Sequence, residues 1–167
     1  MKEPIQQEAA GGEEEFRLEE FLPFRLAVAS EGVSRVIARQ YLGQSGLGMP
    51  EWRLLAAVGR FTVLSPTAAG ERTSMDKVKV SRAAASLVSR GLLRQSRDPD
   101  DGRGRLLRLT RKGTTIYTGI APMAQQVEAA LSAGLSRVEW NALQKGLAKL
   151  VDHTQSMLAN GPDQAAS

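Results

Sequence analysis

The sequence DKVKVSRAAASLVSRGLLRQSRDPDDGRGRLLRLTRKG, residues 76–113, contains the pattern that identifies the fold. Its first half has the apolar spacing of a helix, with Asp76 as the predicted N-cap and Gly91 as the predicted end. The apolar period then changes from that of a helix to that of a strand. Residues 93–97 and 105–109 predict two strands, and the polar segment between them predicts the turn of a β-hairpin. Four apolar side chains are predicted to face inward from the helix: Val80, Ala84, Leu87 and Val88.

Three further helices are predicted before this stretch. Apolar spacing indicates a long first helix that begins near Leu22 and ends in the glycine-rich segment 43–48. Pro50 opens a second helix. Ser65 is the predicted N-cap of a short third helix, with Pro66 at its first position.

Two more helices are predicted after the hairpin. Thr110 is the predicted N-cap of a fifth helix, in which Pro122 predicts a kink. Ser136 and Glu139 have the spacing of a capping box at the start of a sixth helix. The fold class is therefore mainly α with a small β-hairpin, in the order α1-α2-α3-α4-β-hairpin-α5-α6, which is a winged helix-turn-helix.

The predicted elements divide the chain into five parts. These are a disordered acidic tail at 1–17, an N-terminal dimerisation helix at 18–48, a winged helix-turn-helix lobe at 49–112, C-terminal dimerisation helices at 113–160 and a frayed tail at 161–167. The terminal helices carry more apolar surface than one small domain can cover. We therefore expect them to bury it against a second copy of the chain, as a homodimer.

Charge is distributed unevenly along the 167 residues, although the net charge is only +4. Residues 1–20 carry a net charge of −5, whereas residues 72–112 carry twelve basic and four acidic side chains, a net charge of +8. A basic block in a chain with an acidic tail favours a polyanionic partner, most often nucleic acid. The alternative is an ordinary solvated helix face.

Composition excludes several classes of function. The chain has no cysteine and one histidine, His153, so disulfides, thiolate zinc sites and iron–sulfur clusters are excluded. No paired-acid, nucleophile or metal constellation supports an enzyme, and neither a cofactor nor a metal is expected. The first twenty residues lack the pattern of a signal peptide, and the longest uncharged run, 113–127, is too short and polar to span a bilayer. We therefore expect a cytoplasmic protein with no membrane association.

The fourth helix and the hairpin supply the candidate DNA contacts. Side chains suited to base edges and phosphates project from the first half of the helix: Lys77, Val78, Lys79, Ser81 and Arg82. Arg103 lies between two glycines at the hairpin tip, which suits insertion into the minor groove, and Arg97 and Arg105 lie on the stems. The alternative function is a helical dimerisation module that binds an acidic protein through the same basic face.

Taken together, three segments resemble the MarR (multiple antibiotic resistance regulator) family, over roughly Leu22 to Leu158. They are Asp76-Lys77…Val80-Ser81-Arg82…Leu87…Arg90-Gly91-Leu92-Leu93, then Arg97-Asp98-Pro99-Asp100-Asp101-Gly102-Arg103, and then Leu109-Thr110-Arg111-Lys112-Gly113. The resemblance implies a homodimeric repressor on a pseudo-palindromic operator, with the fourth helix in the major groove and Arg103 in the minor groove. Many members have two adjacent arginines at the wing tip, and Gly102 replaces the first here. We therefore expect that the wing binds the minor groove more weakly, or that Arg105 makes part of the contact.

The resemblance also implies small anionic, often aromatic, effectors bound between the dimerisation helices and the DNA-binding lobe. Arg25 and Arg35 on the first helix, with Trp52 on the second, are the candidate effector residues. Such a site would suit an aromatic acid, a phenolic or an acyl-CoA ester. Surface arginines and a core tryptophan are the alternative interpretation. Because the chain has no cysteine, the branch of the family that senses thiol oxidation is excluded.

Overall fold

The computed structural model describes residues 16–39, 45–99, 101 and 104–160. After a 3-10 turn at Leu18–Glu20, the elements are α1 (Leu22–Ile37), α2 (Met49–Phe61), α3 (Pro66–Thr73), α4 (Lys77–Ser89), β1 (Leu93–Arg97), β2 (Arg105–Leu109), α5 (Arg111–Ser132) and α6 (Arg137–Asn160). This order confirms the predicted mainly α fold with a β-hairpin. Most of the predicted acidic tail, the whole C-terminal tail and residues 43 and 44 of the predicted helix-ending segment lie outside the described residues.

The predicted helix caps are confirmed. The side chains of Ser65, Asp76 and Thr110 each accept a hydrogen bond from the backbone N–H three residues later, at 3.2, 2.8 and 3.0 Å. At α6 the capping box is complete, because Ser136 N donates to Glu139 Oε2 at 2.8 Å and Glu139 N donates to Ser136 Oγ at 3.3 Å. Each cap satisfies an N–H group that the first turn of a helix leaves without a partner.

The buried core lies where α2, α3, α4 and the hairpin meet. Its largest fully buried side chains are Leu47, Leu54, Leu55, Leu87, Leu93, Leu107, Val58 and Val80. The prediction that Val88 faces inward was wrong: it is 37% exposed, whereas Ala83 is buried at 3%. Since successive helical residues turn by about 100°, Val88 lies at the edge of the stripe centred on Val80, Ala84 and Leu87.

The hairpin is antiparallel, with Leu93 opposite Leu109 and Arg97 opposite Arg105. Leu64, in the connection between α2 and α3, forms an isolated antiparallel bridge with Leu107 of β2. The hairpin is thus attached to the helix-turn-helix by backbone hydrogen bonds as well as by side-chain packing.

α5 begins in close contact with Leu92, the residue directly before β1. Thr110 N donates to the carbonyl of Leu92 at 3.1 Å. A Cβ atom at Gly113 would collide with that same carbonyl, so only glycine fits there. Pro122 lies inside α5, which continues as a helix on both sides of it.

The two terminal helices leave many of their apolar side chains exposed in the single chain. Neither α1 nor α6 has a buried residue among those described. The exposed apolar side chains on them include Leu22, Phe24, Val28, Val36, Val138, Leu143, Leu147, Val151, Met157 and Leu158. The core also takes in Leu47 and Ile120, on either side of the predicted 49–112 lobe. The division into domains stays a prediction.

Candidate nucleic-acid interface

The first turn of α4 is built around Asp76. Its Oδ1 accepts the Lys79 N–H at 2.8 Å, and its Oδ2 lies 3.1 Å from Lys79 Nζ. The hydrogen bond from the Lys79 backbone, followed by that from the Lys79 side chain, lowers the pKa of the Asp76 carboxyl. The Asp76 side chain therefore caps the helix and orients the side chain of Lys79.

α4 separates its polar and apolar residues onto opposite faces. The five predicted contact residues are all exposed, and even the apolar Val78 is 59% exposed. The opposite face is buried in the core through Val80, Ala83, Ala84 and Leu87. The exposed half of α4 is thus a surface of two lysines, an arginine, a hydroxyl and one small apolar side chain. Such a surface can donate hydrogen bonds to base edges and phosphates and contact a thymine methyl group.

The hairpin carries exposed arginines toward its turn. Arg97 and Arg105 face each other across the end of the ladder, and both are exposed. The turn is closed by hydrogen bonds from Asp98 N to Gly104 O at 3.0 Å and from Gly104 N to Asp101 O at 2.8 Å. A Cβ atom at Gly104 would lie 2.9 Å from the Cβ of Asp98, so a larger residue would force the turn to shift. Arg103, the predicted minor-groove residue, and Gly102 lie outside the described residues.

Two arginines that the sequence analysis did not single out stack on one aromatic ring. The Arg72 Cζ lies 4.7 Å and the Arg60 Cζ lies 5.6 Å from the ring centroid of Phe61, at the ends of α2 and α3. All three residues are exposed. At an exposed site a cation–π contact contributes about 0.5–1 kcal/mol, so the ring favours this placement of the two guanidinium groups without fixing it. No spacing rule in the sequence indicates this cluster, because it depends on how two helix ends meet.

Trp52, the predicted aromatic effector residue, is partly buried between two small cavities. One, of about 250 Å³, lies among α1, α2, α5 and α6, and Trp140 also lines it. The other, of about 230 Å³, lies between the start of α2 and the first half of α5.

The two predicted effector arginines do not line either of these cavities in the described single chain. Arg25 is exposed, and Arg35 is exposed with its Nε 3.9 Å from Glu31 Oε1. Val33 and Ile37 of α1 do line the larger cavity. Because Arg35 is two residues from each of them, it projects about 200° away around the helix. The effector roles of Arg25 and Arg35 therefore stay predictions.

The described residues contain neither a metal-binding cluster nor a membrane-spanning helix. Among them, no group of three or more histidine, cysteine, aspartate or glutamate side chains is placed to hold a metal ion. No helix within the described ranges is long and apolar enough to cross a membrane.

Comparison with known proteins places the chain in a family. The model of the MarR family matches residues 45–104, which include α2 to α4 and β1. A probable transcriptional regulator from Pseudomonas aeruginosa is 30% identical, with a TM-score of 0.72; the match covers 80% of this chain and 99% of that one. A comparison with individually curated sequences gave no match.

Two other solved structures share the fold. Bordetella bronchiseptica BpsR, whose DNA binding is regulated by 6-hydroxynicotinic acid, is 26% identical with a TM-score of 0.71, over 78% of this chain and 98% of that one. A cysteine-to-serine variant of Escherichia coli MarR in complex with operator DNA is 22% identical with a TM-score of 0.71, over 80% and 96%. With the winged helix-turn-helix, the basic face of α4 and the family match in agreement, the chain belongs to the MarR family of winged-helix transcriptional regulators.

Proposed function

We propose that this protein is a homodimeric transcriptional repressor that binds a pseudo-palindromic operator in the cytoplasm and is released from it by a small-molecule effector. The observation that carries the proposal is the exposure of all five predicted contact residues on α4, while the opposite face of the same helix is buried. A helix that presents its basic half on a fixed lobe is suited to the major groove.

The hairpin supports the same docking geometry. Arg97 and Arg105 are exposed on its stems, next to the segment that carries Arg103. With α4 in the major groove, a wing of this kind reaches the adjacent minor groove, where a narrow, electronegative A·T-rich stretch attracts arginine. The structure of the Escherichia coli relative in complex with operator DNA supports DNA as the partner, because the two proteins belong to the same family.

The uncovered apolar faces of α1 and α6 support a homodimer. Two copies that bury these faces against each other would present two α4 helices, which matches the two half-sites of a palindrome about one helical turn apart. We expect Leu147→Glu on α6 to shift the molar mass in light scattering from dimer to monomer. Gln155→Glu, a matched acidic substitution at an exposed polar position of the same helix, should leave the dimer intact.

The effector proposal rests on Trp52 and on kinship. Both cavities beside Trp52 are of a size for small aromatic molecules, and the regulation of BpsR by 6-hydroxynicotinic acid is a precedent in a relative. The anionic class, an aromatic acid, a phenolic or an acyl-CoA ester, follows from the family resemblance and from the sequence-based pairing of Trp52 with Arg25 and Arg35. Among the described residues no basic side chain lines the cavities, so a cation would come from the second protomer or from a residue outside the described ranges.

DNA binding can be tested without knowing the operator. Duplexes are selected from a random pool by the purified protein, and affinity is measured by fluorescence anisotropy at 50 and 200 mM salt. We expect selection of an inverted repeat, and an affinity that falls by about 10³-fold or more if about six phosphates are contacted. Failure to bind any duplex at low salt would overturn the proposal and favour the alternative of an acidic protein partner.

A further inference from the structure

Arg90, immediately after α4, connects the DNA-binding lobe to two other parts of the chain. Its Nη2 donates to the carbonyl of Ser45 and its Nη1 to the carbonyl of Gly46, both at 2.8 Å. Its own carbonyl accepts a hydrogen bond from Lys112 Nζ, in the first turn of α5, at 3.1 Å. One residue therefore joins the end of the recognition helix to the segment before α2 and to the start of α5.

Glu51, in the first turn of α2, holds Arg90 in this position. Its Oε2 lies 3.5 Å from Arg90 Nη1 and accepts the Gly48 N–H at 2.6 Å, while its Oε1 accepts the hydroxyl of Ser86 on α4. The Glu51 side chain is only 16% exposed and that of Arg90 is 34% exposed. Charge-assisted hydrogen bonds that are shielded in this way are stronger than an exposed ion pair.

The segment that accepts the Arg90 hydrogen bonds also forms part of the wall of the smaller cavity beside Trp52, through Ser45. Ser45, Leu47 and Trp52 line one side of this space, and α5 supplies the other side through Ile116, Ile120 and Met123. The carbonyl of Ser45 is bonded to Arg90, and Trp52 directly follows Glu51. A molecule in the cavity therefore touches Ser45, which is hydrogen-bonded to Arg90, and Trp52, which is the next residue after Glu51.

We propose that Glu51 and Arg90 couple occupation of this cavity to the orientation of the DNA-binding lobe; the inference rests on the proposed function. A molecule larger than this cavity of about 230 Å³ would push α5 away from the 45–52 segment, and both are hydrogen-bonded to Arg90. The lobe must then turn, or these bonds must break. Coupling between two sites is reciprocal, so DNA that fixes the orientation of the lobe must in turn change the cavity. If the Glu51 and Arg90 contacts only stabilised the fold, DNA binding would not change the cavity through them.

Reciprocity can be measured at Trp52 without an identified effector. The chain has two tryptophans, so Trp140→Phe leaves Trp52 as the sole reporter. The DNA probe is the duplex selected by the protein itself. On titration with this duplex, we expect a shift of Trp52 emission and a change in its quenching by acrylamide, both of which saturate with the binding curve from anisotropy.

The coupling residues are tested in this Trp140→Phe background. Ser86→Ala removes the hydroxyl that orients Glu51, and Arg90→Lys keeps the charge but loses the planar fork that reaches two carbonyls. Each variant should still bind the duplex, with a Trp52 response at least about twofold smaller because the coupling free energy is lost. Ser89→Ala is the matched control, since among the described residues the Ser89 hydroxyl bonds only the Ser86 carbonyl of its own helix, at 2.8 Å. It should leave the response intact.

The possible outcomes separate the two proposals. If the protein binds no duplex, the proposed function fails and the coupling fails with it. If the protein binds DNA but Trp52 does not respond, or responds equally in Ser86→Ala, Arg90→Lys and Ser89→Ala, then only the coupling is overturned. Thermal unfolding of each variant confirms that the lobe is folded. Ser86→Ala removes a single hydroxyl, so it remains a usable test if Arg90→Lys unfolds.

Discussion

Leu64 and Leu107 exchange two backbone hydrogen bonds, from Leu107 N to Leu64 O at 2.8 Å and from Leu64 N to Leu107 O at 3.2 Å. Leu64 lies between the second and third helices and Leu107 lies in the second strand of the hairpin, so the pair attaches the wing to the helix-turn-helix. The side chain of Leu107 is also fully buried. Backbone pairing and core packing thus meet at one residue.

The first prediction follows from that burial. Leu107→Ala leaves a cavity under the hairpin and should lower the free energy of unfolding by about 2–5 kcal/mol, measured by urea denaturation. Leu106→Ala, at the adjacent and partly exposed position on the other face of the strand, should cost less. Equal losses for the two variants would show that Leu107 is not a core residue of the lobe.

The second prediction concerns Arg82 on the exposed face of α4. If its guanidinium binds a guanine edge, Arg82→Ala should weaken binding to the selected operator by about 1–3 kcal/mol and relax the preference at one base pair. Arg137→Ala, at the start of α6, controls for the loss of one positive charge. An equal loss on operator and random DNA would instead identify Arg82 as a phosphate contact.

The third prediction concerns the wing. Arg103→Ala should reduce affinity more for operators with A·T-rich flanks than for those with G·C-rich flanks, because a narrow minor groove is more electronegative. Competition between the two flank types, read by anisotropy, provides the measurement. If the variant binds both flank types as tightly as the wild type does, Arg103 does not enter the minor groove.

The fourth prediction is a pH dependence at Asp76. The hydrogen bonds from Lys79 lower the pKa of this carboxyl in the folded protein. A lowered pKa contributes stability above the unfolded value, and that contribution is lost as the pH falls through the folded value. Asp76→Asn can still cap the helix but does not titrate.

The midpoint of thermal unfolding should therefore be higher for the wild type than for Asp76→Asn above about pH 4. The difference should disappear on further acidification. Asp152→Asn on the exposed face of α6 controls for the loss of one carboxylate, and it should not reproduce this pH dependence. A difference between wild type and Asp76→Asn that is constant with pH would contradict the assignment.

The fifth prediction tests the effector class. 6-Hydroxynicotinic acid, as a probe, should raise the unfolding temperature of the wild type more than its neutral amide does. A ligand at 100 times its Kd stabilises the folded protein by about 2.7 kcal/mol. Trp52→Leu should abolish the shift, and the double variant Arg25→Gln, Arg35→Gln should remove the preference for the acid. If the double variant still prefers the acid over the amide, Arg25 and Arg35 do not belong to the effector site.

Elements set by local chemistry were predictable from the sequence. Ser65, Asp76, Thr110 and Ser136 each cap a helix whose first turn follows directly, so the residue type and the spacing together determine the contact. The exposed face of α4 was predictable for the same reason, because the buried residues recur at the helical period.

Contacts between distant segments were not predictable. The hydroxyl of Ser86 meets Glu51 from 35 residues away, and nothing in either local pattern selects that partner. The effector roles of Arg25 and Arg35 stay predictions for a related reason, since neither side chain lines the cavities beside Trp52 in the described single chain. Long-range pairing depends on how complete elements pack, which one sequence alone does not specify.

If the proposed function holds, the bridge between Leu64 and Leu107 also limits what an effector can change. A wing attached in this way to the helix-turn-helix would keep the distance between the proposed DNA contacts of α4 and of the wing constant within one half-site. An effector would then change only the distance between half-sites that the dimer can span. It would weaken binding to all operators with the same spacer length by the same factor, whatever their base sequence. Promoters within one genome could therefore differ in sensitivity to the same molecule through spacer length alone, with the half-site sequences unchanged.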